Sequence, residues 1–91
     1  MYKSMYTVDA RGNNLLEEAM VFLKIQPNMD KTVLNTLRTR NDIKNASLLY
    51  GPYDAYFELV AGSLSDIEGI ITSVIRKIPG VRSSMTCFIA D

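Results

Sequence analysis

Histidine and tryptophan are absent from the 91-residue sequence, and cysteine occurs only once. Without histidine the chain cannot form a Ser-His-Asp active site, and with a single cysteine it cannot form a His/Cys metal centre. Cys87 cannot make an internal disulfide, which favours a reducing compartment. We therefore expect no metal, no cofactor and no histidine-dependent catalysis.

The sequence also lacks an excess of either charge, because ten basic residues face ten acidic ones. Basic residues occur singly or in short pairs, so no basic stripe is present and direct DNA binding is expected to be weak or absent. No apolar run approaches the roughly 20 residues that span a bilayer. The N-terminus has no apolar signal region. These features predict a soluble, cytoplasmic protein without a membrane partner.

The length suits one domain. Residues 1–14 are polar and end in the turn-rich stretch DARGNN, so we interpret them as an N-terminal arm. Residues 15–91 carry the folded domain. Their apolar periodicity predicts four strands, at 17–25, 43–50, 54–61 and 81–90, with helices at 29–40 and 65–78. Asn28 is the expected N-cap of the first helix; Ser65 with Glu68 predicts a capping box on the second, with Ser63 and Asp66 as an alternative frame.

The element order βαββαβ predicts a ferredoxin-like α+β fold, in which two helices cover one face of a four-stranded antiparallel sheet. Two helices cannot cover the second face, which is also apolar, and an exposed apolar sheet usually marks an interface. We expect Cys87 to point toward the helices with Val81 and Met85. The predicted dimer interface on the open face consists of Met20, Phe22, Leu48, Tyr56, Val60 and Phe88.

A turn interrupts the apolar stretch LLYGPYDAYFELV, and this turn is the first candidate ligand-binding site. Gly51 permits a positive φ and close approach of a ligand to the backbone, or it serves the turn alone. Pro52 stiffens the loop. Asp54 is placed to bind an ammonium group or to cap its own turn, and Tyr53 offers an aromatic wall or interface packing.

Two hydroxyl side chains in the last strand form the second candidate site. Ser84 and Thr86 are two residues apart, so they lie on one face of the strand, where they are able to bind a ligand carboxylate. Ordinary polarity of an edge strand explains them equally well. Arg82 is expected on the same face, either contacting a carboxylate or forming an exposed salt bridge.

Three segments in order, YGPYDAYFELVA, SDIE and IRKIPGVRSSMT, resemble the effector-binding (RAM) domain of the Lrp/AsnC transcription regulators. The Gly-x-Tyr-Asp turn is similar at Gly51–Asp54, the Ile-Pro-Gly-Val junction at 78–81, and the hydroxyl pair at Ser84 and Thr86. The similarity covers about residues 16–91. Family regulators carry a winged helix-turn-helix where this chain has fourteen residues, so it resembles the stand-alone form.

The resemblance implies a dimeric α/β barrel in which two sheets pack face to face. It also implies a ring of dimers, often an octamer, with a small amino-acid effector in the clefts between dimers. Full-length Lrp/AsnC regulators are further expected partners, because co-assembly would let the chain modulate them. The resemblance implies a binding module rather than an enzyme.

Two alternatives come from other functional classes. One is a small dimeric α/β-barrel enzyme, which would depend on Asp54, Tyr56 or Glu58, although no nucleophile–base arrangement is visible. The other is a ring that binds DNA directly through many weak basic contacts.

Overall fold

A computed structural model describes residues 16–88 of the chain. The predicted arm 1–14 and the end of the fourth predicted strand, 89–90, lie outside the described residues. The elements in chain order are β1 (Glu17–Ile25), α1 (Asp30–Arg38), β2 (Ile43–Leu48), β3 (Ala55–Ala61), α2 (Leu64–Ser73), a short 3-10 helix (Ile75–Lys77) and β4 (Val81–Phe88). This order confirms the predicted βαββαβ arrangement.

The four strands form one antiparallel sheet in the order β2-β3-β1-β4. The most apolar strands, β1 and β3, are therefore central, and the more polar β2 and β4 are the two edges. Neither helix in the described part of the chain is long and apolar enough to cross a bilayer.

The hydrophobic core lies between one face of the sheet and the two helices. Alternate residues of β1 point into it because side chains of a strand alternate between faces, and Val21 and Leu23 are completely buried. Phe57 and Leu59 of β3 pair with β1 in register and are equally buried. The helices contribute the apolar residues Val33, Leu34, Leu37, Ile67 and Ile71.

A β-bulge in β2 reverses the direction of the side chains that follow it. Lys44 lies opposite Glu58, but the next recorded pair is Ser47 opposite Tyr56, so β2 contains one extra residue. Asn45 lies at this bulge and has a positive φ of 55°. Leu48 consequently lies opposite Ala55, on the helix side. The prediction that Leu48 lies on the open face is wrong, because an inserted residue moves all later side chains to the other face.

The second edge strand contains a similar irregularity at its start. Val81 lies opposite Ile25 and Ser83 lies opposite Lys24, so Arg82 is the extra residue. Val81 packs against the core as predicted. Beyond the bulge, the side-chain direction is reversed relative to simple alternation from Val81.

The reversal in β4 corrects two predictions. Phe88 lies opposite the core residue Ala19, on the helix side, so its prediction for the open face is wrong. Met85 lies opposite Phe22 and Cys87 opposite Met20, which places both on the open face and not toward the helices. Beyond its bulge, each edge strand is therefore inverted relative to the prediction, whereas the two central strands are as predicted.

The helix starts differ from the predicted caps. Asn28 adopts a left-handed φ of 70° in the turn before α1, and the N-cap position belongs to Met29, whose side chain makes no capping bond. Ser63 is the N-cap of α2, because its Oγ accepts a hydrogen bond of 3.0 Å from the backbone N–H of Asp66. The alternative frame is thus correct, and the Ser65 capping box is wrong.

Replacing Gly80 by alanine is expected to destabilise the fold by about 2–4 kcal/mol. Gly80 has a φ of +99°, and a Cβ there would lie 2.8 Å from Met29 Cβ and 3.1 Å from Val33 Cγ2. Gly69→Ala is the matched control, because no atom lies within 4 Å of its added Cβ and alanine favours the helix. Urea unfolding at one protein concentration measures the free energy of unfolding of both variants. Equal stability of the two variants would contradict the steric role assigned to Gly80.

Candidate functional site

The turn between β2 and β3 is held by backbone geometry that requires glycine. Gly51 has a φ of +142°, a conformation that side chains with a Cβ rarely adopt, and the space around it is open. The N–H of Leu49 donates to the carbonyl oxygen of Asp54 at 2.9 Å and closes the loop. The turn role predicted for Gly51 is sufficient to explain this residue within a single chain.

Asp54 fastens the turn to the central strand β1. Its backbone N–H donates to the carbonyl of Leu23 at 2.8 Å, and its Oδ2 accepts from the N–H of Ile25 at 2.7 Å. The carboxylate therefore caps a neighbouring strand, and the predicted cap of its own turn is not formed. Since a carboxylate has two oxygens and several lone pairs, this bond leaves acceptor capacity for a ligand ammonium group.

Asp54 lies between two clefts of different character. One has a volume of about 410 Å³ and is lined by residues of the β1–α1 turn and by Leu48, Leu49 and Tyr50. The other, about 450 Å³, brings Asp54 and Pro52 together with two cations and a hydroxyl, Lys24, Arg82 and Ser83. The second cleft combines a carboxylate with cationic groups, which suits a small zwitterion.

Tyr53 turns away from both clefts and joins an aromatic cluster on the open face. Its ring centroid lies 5.7 Å from that of Phe22, and its hydroxyl donates to Met85 Sδ at 3.4 Å. Lys24 Nζ lies 5.6 Å from the centroid of the Tyr53 ring. These contacts favour the interface-packing interpretation of Tyr53 over the ligand-wall interpretation.

Ser84 and Thr86 line a third cleft, of about 250 Å³, on the helix side of the sheet. Arg76, in the 3-10 helix, donates from Nε to Ser84 Oγ at 3.1 Å. Arg82, the cation predicted beside the hydroxyl pair, lies in the bulge and lines the cleft that contains Asp54. It also lines a cleft of about 270 Å³ together with Arg76 and Ser84, so two cations lie near this hydroxyl, of which Arg76 bonds it directly.

Within residues 16–88 of one chain, none of the four clefts that these residues line holds both predicted halves of the site. Asp54 and Pro52 line one cleft, whereas Ser84 and Thr86 line another. The prediction also missed Arg76 and Glu68 as lining residues of the hydroxyl cleft. The spacing of four residues from Glu68 through Thr72 to Arg76 was the available signal, since such residues share one side of a helix.

Polar side chains, Glu18 and Glu58 among them, lie beside the apolar residues on the open face. The Tyr56 hydroxyl donates to Glu58 Oε2 at 2.7 Å, and Asn45 Nδ2 donates to Glu58 Oε1 at 3.1 Å. The Tyr56 ring lies 5.2 Å from that of Phe22. Burial, followed by the hydrogen bond to Glu58 and its negative charge, raises the pKa of Tyr56 to about 12. Within residues 16–88, no group of His, Cys, Asp and Glu is arranged to hold a metal ion.

The Lrp/AsnC ligand binding domain matches residues 18–91 of the chain as a family model. No curated protein is significantly similar to it in sequence. Among solved structures, FFRP-DM1 is similar with a TM-score of 0.78 at 24% identity, covering 81% of this chain and 99% of its own.

Longer regulators share the same fold over part of their length. E. coli AsnC has a TM-score of 0.77 at 13% identity, with 85% of this chain and 52% of AsnC covered. The transcriptional regulator NMB0573 from Neisseria meningitidis, solved as an L-Met complex, has a TM-score of 0.78 at 13% identity, with 100% of this chain and 59% of the regulator covered. At these identities the likeness shows the fold.

The Tyr56 hydroxyl is expected to titrate near pH 12 in the folded protein, above its usual pKa of 10. Stability should be unaffected below pH 10 and should fall between pH 10 and 12, where only the unfolded state ionises. The ¹³Cζ resonance of labelled tyrosine, assigned by Tyr56→Phe, measures the pKa. Glu58→Gln removes the charge but retains the burial, so it should lower the pKa only partly; an unchanged value would contradict the role of Glu58.

Proposed function

Because the chain belongs to the Lrp/AsnC ligand binding domain family, we propose that it is an effector-binding and assembly module that binds a small amino acid. The match over residues 18–91 carries this proposal. The module has no catalytic role and needs no cofactor. It works in the cytoplasm, where it modulates full-length Lrp/AsnC regulators by co-assembling with them.

Assembly begins with a dimer in which two open sheet faces cover each other. Of the six predicted interface residues, four keep their place on that face: Met20, Phe22, Tyr56 and Val60. Met85 and Cys87 take the positions that Leu48 and Phe88 were expected to fill. Met85 is 39% exposed in the single chain, so pairing would remove apolar surface from water.

Dimers then associate into a ring, of eight subunits or a similar number. This step is supported by the division of the two half-sites, because Asp54 lines one cleft of the chain and the Ser84–Thr86 pair lines another. We infer that a ligand contacting both half-sites lies between neighbouring subunits. We assign the ligand ammonium to Asp54 and the ligand carboxylate to the two hydroxyls.

The nature of the ligand is supported by chemistry and by a relative. The Asp54 cleft supplies a carboxylate for an ammonium group, and the hydroxyl cleft contains a cation, Arg76, for a carboxylate. The Neisseria regulator of the same fold binds L-Met. Direct DNA binding remains a weaker expectation, because the chain has no net charge to attract phosphates.

Calorimetry with the twenty amino acids tests ligand binding. At least one should bind, and Asp54→Asn should weaken it roughly tenfold or more, because the variant loses the charge that holds the ammonium. The Asn side chain can still accept from the N–H of Ile25, so the turn and the ring should persist. No heat from any amino acid, with the oligomer intact by light scattering, would refute the proposal.

Phe22→Glu is expected to dissociate the assembly, because it places an unpaired charge in an apolar contact. Light scattering should show the mass falling toward the 10.2 kDa of a single chain. Asn35→Glu is the matched control, since it adds the same charge at an exposed position of α1. If Phe22→Glu keeps the mass of the wild type, the open face is not the dimer interface.

A further inference from the structure

The cleft that contains the hydroxyl pair is built from two parallel rows of side chains. Glu68 and Thr72 lie one turn apart on α2, and Arg76 follows in the 3-10 helix, with all three lining the same cleft. Ser84, Thr86 and Phe88 alternate along β4 on the side that faces the helices. All six line the same cleft, which gives it a cation at one end of the helical row and a carboxylate at the other.

Arg76 is free to bind an anion. Among residues 16–88 it forms no ion pair, and its only recorded hydrogen bond runs from Nε to Ser84 Oγ at 3.1 Å. The sequence contains no carboxylate between Glu68 and Asp91, so no acidic side chain of this segment neutralises it. Its two terminal amino groups remain available as a planar pair of donors, the geometry that matches a carboxylate.

Glu68 stands too far from Arg76 to share the two charges of one α-amino acid head group. Eight residues separate them, five along α2 and three through the 3-10 segment, which corresponds to roughly 12–14 Å between their backbones. If Arg76 binds the carboxylate of a ligand, the far end of that ligand therefore lies near Glu68. The apolar part of the ligand then lies beside Phe88 and the buried Ile71. Glu68 is exposed and, within the described residues, has no recorded partner.

We propose that this cleft selects an amino acid with a cationic side chain, in which Arg76 binds the α-carboxylate and Glu68 binds the distal cation. This inference rests on the proposed function, because Asp54 of a neighbouring subunit is left to bind the α-ammonium group. Ser84 and Thr86 complete the carboxylate site as hydrogen-bond donors. The pairing of a fixed cation with a distant carboxylate also disfavours acidic ligands, since their second negative charge would face Glu68.

The test compares four ligands by calorimetry on the assembled protein: L-lysine, L-norleucine, L-glutamate and cadaverine. Lysine and norleucine share an unbranched side chain but differ in the distal charge, and cadaverine lacks the carboxylate. Lysine should bind roughly tenfold or more tightly than norleucine, and glutamate and cadaverine should bind more weakly still. Light scattering confirms that each variant keeps the wild-type mass.

Three variants separate the roles. Glu68→Gln should remove the preference for lysine over norleucine and leave norleucine affinity unchanged. Arg76→Gln should weaken lysine and norleucine by the same factor, roughly tenfold or more. Lys31→Gln, which makes the same charge change as Arg76→Gln at an exposed position of α1, should alter neither affinity.

The outcomes distinguish this inference from the proposed function. If amino acids bind but Arg76→Gln or Glu68→Gln changes nothing, the inference is wrong and the effector-binding role stands. If glutamate binds as tightly as lysine, the assignment of Glu68 is likewise wrong. If no amino acid binds to an intact assembly, both are overturned.

Discussion

Two helices are able to cover only one face of a four-stranded sheet, and the rest of this structure depends on that limit. In β1 and β3 both faces carry apolar side chains, so alternate residues enter the core while Met20, Phe22 and Tyr56 remain on the open side. The aromatic rings there already contact one another, with Phe22 5.2 Å from Tyr56. Contacts within the face reduce its exposure but, among residues 16–88, no helix covers it, and this is the physical basis of the dimer proposed above.

The central strands could be predicted from the sequence, and the orientation of the edge strands could not. A central strand is bonded on both sides, and its alternation of apolar residues matches the pleat along its whole length. An edge strand tolerates an extra residue, because the unpaired backbone is exposed to water. The bulges at Asn45 and Arg82 involve polar, exposed residues whose pattern carries no signal of insertion. One extra residue was enough to exchange Met85 with Phe88 between faces.

In the candidate site, too, the features set by neighbouring residues could be predicted from the sequence, and the contacts between distant residues could not. The glycine turn at Gly51 follows from local sequence, because a positive φ favours that residue. The hydrogen bond from the N–H of Ile25 to Asp54 joins residues 29 positions apart, and no local pattern indicates it. Arg76 lies beside Ser84 only because the bulge turned Ser84 toward the helices. The bulge thus decides which side chains surround the hydroxyl pair, and the alternation of the sequence does not indicate it.

Strand β4 connects the hydroxyl cleft to the open face. Ser84 and Thr86 line the cleft with Arg76, while Met85, between them in sequence, lies opposite Phe22 on the other side. Because successive side chains share one backbone, a shift of this strand at the hydroxyls would also shift Met85, whose sulfur accepts from the Tyr53 hydroxyl. Coupling between two sites requires an element whose position affects both. An edge strand, bonded to the sheet on one side only, resists such a displacement less than a central strand does.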